Sequence, residues 1–172
     1  MSGKQCRSAL LSKEHNRQAF SCGVETLDRY FQERVGQDRR RDLAIPYVLV
    51  STATGDIAGY YTLSNYSIVP ARFPQGVTKG QPHYDAYPAV RIGRLATDRR
   101  YRGRGVGKLL LLDALSRCLD LKGRAGVMAL VVDAKDAAAR SFYEHFGFIR
   151  FPDDEYALFL LTNTIPELLS ND

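Results

Sequence analysis

The feature that most restricts what this chain can become is the run Ala96-Thr97-Asp98-Arg99-Arg100-Tyr101-Arg102-Gly103-Arg104-Gly105-Val106-Gly107-Lys108-Leu109-Leu110. A β-rich stretch, Val90–Asp98, enters it and a strongly helical stretch, Gly105–Lys122, leaves it. The glycines therefore fall in the turn and at the head of a helix. A first helical turn leaves backbone N–H groups unpaired, and the macrodipole adds partial positive charge there. Glycine lets a phosphate approach the backbone, and Arg102, Arg104 and Lys108 add full charges. The residues Arg102, Gly103, Arg104, Gly105, Val106, Gly107 and Lys108 thus form a candidate pyrophosphate site. From glycine spacing alone, a solvated basic turn is an equal alternative. The run lacks the Gly-Lys-Ser/Thr ending of a P-loop. It also lacks the acidic residue that a dinucleotide fold places after a second strand, since Asp120 lies inside the helix.

The rest of the chain sets this turn in a mixed plan. Its 172 residues suit a single domain spanning 1–172, and an apolar fraction of 45% is enough for a core without disulfides or metals. A short strand is expected near Arg7–Leu11. Val24, Leu27, Phe31 and Val35 recur at helical spacing, with Ser21 or Cys22 near the start and the polar run Gln37–Asp42 at the end. Tyr47–Ala53 and Ile57–Val69, joined by Thr54-Gly55-Asp56, read as an antiparallel hairpin. An irregular segment, Pro70–Pro88, precedes the strand–turn–helix. Val127–Asp133 reads as a buried strand. Asp136 caps a helix with Ala139, Phe142, Tyr143 and Phe146 on one face, and Gly147 ends it. Strands near Phe148–Phe151 and Tyr156–Leu161 and a brief helix with Leu168 and Leu169 complete an α/β (α+β) order, with a mostly antiparallel sheet flanked by helices.

At this point the residues resemble a known family. Arg102-x-x-Gly105-x-Gly107 is similar to the acetyl-CoA signature of the GNAT N-acetyltransferases, and Arg94-Leu95-Ala96-Thr97-Asp98 looks like that family's fourth strand. The stretch Asp136-Ala-Ala-Ala139-Arg-Ser-Phe142-Tyr143-Glu-His-Phe-Gly147-Phe148 resembles its second signature, with Asp136 where Asn is usual. A narrower resemblance is to the GNAT toxins of bacterial toxin–antitoxin modules. It rests on His15 to Phe20, Ser21-Cys22-Gly23, Leu27-Asp28, Gly59-Tyr60-Tyr61-Thr-Leu63 and Gly93-Arg94-Leu95-Ala96.

The resemblance implies a GNAT fold, acetyl-CoA as co-substrate, and acetylation of the α-amino group of aminoacyl-tRNA, which blocks translation. It implies a ribbon-helix-helix antitoxin as partner and allows a homodimer. Backbone groups of Leu95, Ala96 and Thr97 would hold the pantetheine arm, with Arg102 to Lys108 at the phosphates and Asp136 at the head of the second helix. Tyr143 would be the proton donor to the departing thiolate, because a phenol with a pKa of about 10 stays protonated at neutral pH. From spacing alone Tyr143 is a core aromatic beside Ala139 and Phe146; the resemblance gives it the catalytic assignment. His145 lies about 200° around the helix from Tyr143 and is no base for it. None is required for an α-amino group, whose pKa of about 8 leaves a neutral fraction at pH 7.

Charge extends the expectation to the substrate. The net charge is +5, concentrated in Arg39-Arg40-Arg41 and between Arg91 and Lys108. Arg39, Arg40, Arg91, Arg94, Arg99 and Arg100 are candidate contacts for tRNA phosphates, against the alternative of a solvated helix end for the first run. Three scattered cysteines, Cys6, Cys22 and Cys118, point to a reducing, cytoplasmic setting, with Cys118 a buried small hydrophobe on a helical stripe. No Cys/His pair has zinc spacing, and no signal peptide or membrane span is expected. Two other readings fit the pattern. One is acetylation of a small amine or a protein N-terminus. The other is a non-catalytic acetyl-CoA-sensing or nucleic-acid-binding module, against which Tyr143 and the intact glycine motif argue.

Overall fold

A computed structural model describes residues 5–170. Among the described residues the strands β1 (Cys6–Leu10), β2 (Ile45–Ser51), β3 (Ile57–Ile68), β4 (Tyr87–Thr97), β5 (Ala129–Asp133), β6 (Ile149–Phe151) and β7 (Asp154–Leu161) form one seven-stranded sheet in the order β1-β2-β3-β4-β5-β7-β6. Contacts divide the described residues into two compact units, 5–64 with 93–114, and 65–92 with 115–170. Among the described residues no helix is long and apolar enough to cross a membrane.

The first unit contains β1 (Cys6–Leu10), a helical stretch, β2 (Ile45–Ser51) and parts of β3 (Ile57–Ile68), β4 (Tyr87–Thr97) and α3 (Val106–Lys122). β2 pairs antiparallel with both β1 and β3. The helical stretch runs as α1 (Glu25–Arg29), a π turn (Tyr30–Arg34) and α2 (Val35–Arg40). Its apolar stripe behaves as the spacing predicts. Phe31 and Val35 are fully buried, and Val24 and Leu27 pack against the same cluster. Ser21 and Cys22 lie near the start, just before α1. Neither Ser21 nor Cys22 caps the helix; instead the Asp28 carboxylate reaches back and accepts from Ser21 Oγ at 2.9 Å and Cys22 N at 2.7 Å. The end falls inside the polar run Gln37–Asp42, as expected: Gln37 to Arg40 are helical and the chain turns at Asp42, with φ 57°. An aromatic trio fixes this core: Phe31 stacks on Tyr60 at 4.0 Å, and Phe20 meets both edge-on.

In the second unit, β4 pairs in parallel with β5 (Ala129–Asp133), from Ala89↔Ala129 to Ile92↔Val132. β4 begins at Tyr87, before the Val90 suggested by the sequence. Pro88 has no N–H to give, but its carbonyl accepts from Met128 N at 2.8 Å and so extends the edge. α4 (Ala137–His145) follows, then β6 (Ile149–Phe151), β7 (Asp154–Leu161) and α5 (Ile165–Ser170). β7 lies antiparallel between β5 and β6. Phe73, Phe151 and Phe159 form the aromatic centre of this unit's core. Cys118 is a fully buried free thiol, as its stripe predicts, and burial pushes its pKa up to about 11.

Candidate active site

In the first unit the glycine–arginine turn is organised by a carboxylate that the sequence did not single out. Asp98 is buried at 2% exposure. It accepts from Ser21 N (3.1 Å), Arg100 N (2.9 Å), Arg100 Nε (2.9 Å) and Arg100 Nη2 (3.1 Å). Burial pushes its pKa up, but these donors and the Arg100 charge outweigh that and hold the carboxyl below its ordinary value. Asp98 also donates its own N–H to the Ala58 carbonyl at 2.9 Å, so the exit of β4 is pinned on two sides. The available signal was an Asp just before a short helical turn, where its side chain caps the N–H two residues on.

Beyond Asp98 a short 3-10 turn, Arg99–Tyr101, leads to Gly103 and Gly105. Both adopt left-handed backbone, φ 75° and 77°, which L side chains adopt at a cost of about 1–2 kcal/mol. α3 then starts, with Leu109 N bonded to the Gly105 carbonyl at 3.1 Å. Val106 and Gly107 in its first turn have no carbonyl four residues back inside the helix, so their N–H groups are available to an anion. Arg102, Arg104 and Lys108 are exposed. Arg102 Nη2 donates to the Cys22 carbonyl at 2.6 Å, and the Arg104 guanidinium lies 5.6 Å from the Tyr101 ring. Leu95 and Thr97 are half-buried and Ala96 is buried, in the part of β4 beyond its pairing with β5.

The head of α3 sits close to the sheet because residue 59 is glycine. A Cβ there would meet Leu110 Cδ1 at 2.7 Å and the Ala96 carbonyl at 2.9 Å. A glycine inside a strand is the sequence sign of such close approach.

In the second unit Asp136 caps α4, its Oδ1 accepting from Ala139 N at 2.8 Å. The opposite end closes with Gly147 N bonded to the Glu144 carbonyl and Phe148 N to the Tyr143 carbonyl. That closure brings Phe148 back onto Tyr143, ring centroids 5.4 Å apart. Phe142 meets Tyr143 edge-on at 5.3 Å. Tyr143 is thus both buried, at 6% exposure, and oriented by its helix end. Burial, and then the charge of Asp133, push its pKa well above the ordinary phenol value. His145 is exposed and stacks edge-on with Phe146.

The candidate substrate arginines separate into groups. Arg91 is ion-paired with Asp133 and lies 5.7 Å from the Tyr66 ring. Arg94 lies 3.4 Å over the Tyr30 ring, and Arg100 pairs with Asp98 and Asp56. Arg99 is exposed beside Gly23. Arg39, which donates to the Leu11 carbonyl, and Arg40 line a groove together with Lys13 and Arg17. The last two were missed because Lys13 sits in a turn and Arg17 opens a short 3-10 turn, neither with a periodic pattern.

Comparison with known proteins identifies the family. Residues 11–148 match the acetyltransferase (GNAT) family. The tRNA-acetylating toxin of Mycobacterium tuberculosis is 33% identical over 153 residues, covering 89% of this chain and 90% of its own length. Among solved structures, AtaT complexed with acetyl-methionyl-tRNAfMet superposes with a TM-score of 0.87 at 28% identity, covering 95% of this chain and 98% of AtaT. A mutant AtaT toxin bound to the C-terminus of the antitoxin AtaR and acetyl-CoA superposes with a TM-score of 0.79 at 27% identity, covering 96% and 99%. With its two signature segments on the head of α3 and on α4, and with four-fifths of its length matched, the chain belongs to the GNAT acetyltransferase family.

Proposed function

We propose that this protein transfers the acetyl group of acetyl-CoA to the α-amino group of an aminoacyl-tRNA and thereby acts as a toxin on translation. The likeness to the tRNA-acetylating toxin over nine-tenths of both chains carries the choice of substrate. Residues 1–172 act in this reading as one catalytic domain. The head of α3 binds the phosphates: N–H groups at Val106 and Gly107 face them across the left-handed glycines, and Arg102, Arg104 and Lys108 supply charge. Backbone groups of Leu95, Ala96 and Thr97 align the pantetheine arm, and Asp136 acts through the cap it makes on α4. The bound thioester supplies an activated acetyl carbon.

The neutral α-amine attacks that carbon, the C–S bond breaks, and Tyr143 gives its phenolic proton to the departing sulfur. The phenol regains a proton from the new ammonium through water. The raised pKa keeps Tyr143 protonated through neutral pH, so the proton is present when the thiolate departs. Arg39, Arg40, Arg91, Arg94, Arg99 and Arg100 contribute the positive field met by tRNA phosphates, a contact that weakens as salt rises. The toxin works in the cytoplasm, is restrained by a ribbon-helix-helix antitoxin and assembles as a homodimer. The mutant AtaT toxin bound to the C-terminus of the antitoxin AtaR is the precedent for an antitoxin partner.

Incubation with labelled acetyl-CoA and either charged tRNA or a panel of small amines tests the reading. Label on charged tRNA is expected. Label on small amines alone would contradict it.

A further inference from the structure

A groove of about 480 Å³ in the first unit is lined by Leu11, Ser12, Lys13, Arg17, Gly36, Arg39 and Arg40, four cations and no acid. Among the described residues none of the four cations pairs with a carboxylate. Two of them are held in place by backbone carbonyls, Arg17 Nη1 on Phe31 O at 3.2 Å and Arg39 on Leu11 O. The guanidinium groups of Arg17 and Arg40 converge. Arg40 Nη1 and Arg17 Nη1 come within 3.5 and 3.6 Å of the point where a Cβ on Gly36 would stand. Like charges brought together on a surface repel one another unless an anion lies between them. The floor beneath them is a glycine in the first turn of α2, where alanine would favour the helix by about 1 kcal/mol. Glycine keeps that floor open.

We infer that this groove is a phosphodiester clamp, taking a backbone phosphate of the tRNA between Arg17 and Arg40 with Lys13 and Arg39 at its rim. A guanidinium pair presents a fixed fork of N–H donors that suits phosphate oxygens. The apolar side of Leu11 and the arginine stems gives a surface for the adjoining ribose. The clamp differs from Arg91, Arg94 and Arg100, whose guanidinium groups face a carboxylate or an aromatic ring within the fold. The inference rests on the tRNA reading for its ligand, and its test separates the two.

The full chain and its Arg40→Glu and Gly36→Leu variants are compared for binding of deacylated tRNA across a salt series. Turnover is followed with charged tRNA and with a free amino-acid ester. Gly36→Leu keeps the net charge and blocks the floor, and its melting temperature reports folding. For both variants tRNA binding is expected to weaken at least tenfold at low salt. For Arg40→Glu the slope of log affinity against log salt should also fall by about one. For Gly36→Leu, turnover of the free ester should stay within twofold. Folded variants that bind tRNA as tightly as the parent would overturn the clamp. So would variants that lose only binding of polyglutamate, which would assign the groove to an acidic protein. If the parent binds tRNA through the groove but acetylates only small amines, the clamp stands and the tRNA-acetylation reading fails.

Discussion

The head of α3 and the tail of α4 are both helix ends marked by glycine, yet they are built from opposite materials. The first is exposed, cationic and held by hydrogen bonds that converge on the buried Asp98 carboxylate. The second is buried and aromatic, with Tyr143 turned onto Phe148 by its own helix closure. The difference follows from what each end must do. An anion is held by dipoles and charges that remain solvated until it arrives. A proton donor must still carry its proton when the leaving group departs, and burial holds Tyr143 in its neutral, protonated form. Changes at the first end should therefore act on binding, and changes at the second on turnover.

The sharpest break in that contrast is Tyr143→Phe. It keeps the ring packing and removes the proton. Turnover is expected to fall by about 10²–10⁴-fold with the KM for acetyl-CoA unchanged, as read by steady-state kinetics. The converse is Gly105→Val, which forces a β-branched residue into left-handed backbone at a cost of about 1–2 kcal/mol and crowds the approach to the first turn. A rise of about tenfold in the Kd for acetyl-CoA by calorimetry is expected, with kcat at saturation within twofold.

Asp98→Asn probes the support of the binding end. Loss of the charge-assisted hydrogen bonds should destabilise the fold by about 2 kcal/mol at pH 7 in urea unfolding. The folded-state pKa of Asp98 lies below that of the unfolded chain. Its stabilisation is therefore fully present above about pH 4 and fades as pH falls through the folded value. The gap between parent and variant should accordingly shrink on acidification; a gap that widens would contradict the assignment. The smallest effect belongs to Asp136→Ala, which removes the α4 cap and should cost about 1 kcal/mol in thermal unfolding, with Asp136→Asn nearly silent.

What could be read from the chain itself was local. The glycine–arginine turn, the Asp136 cap, the Gly147 stop and the Val24–Val35 stripe are short-range patterns, and each appears where its spacing places it. What escaped depends on partners distant in sequence. Asp98 gains its importance from Ser21, Gly59 from Leu110, and Lys13 and Arg17 from α2, and no periodicity announces such meetings. The substrate arginines show the same limit. Charge count suggested a common surface, whereas Arg91, Arg94 and Arg100 are drawn into local pairs by Asp133, Tyr30 and Asp98.

The central claim is that the acetyl group ends on the α-amino nitrogen of an aminoacyl ester. After reaction with labelled acetyl-CoA, charged tRNA treated with mild alkali should release the label as N-acetylamino acid, by cleavage of the ester alone. Label that stays with the tRNA after the ester is cleaved, or that appears only when the tRNA is uncharged, would contradict the account.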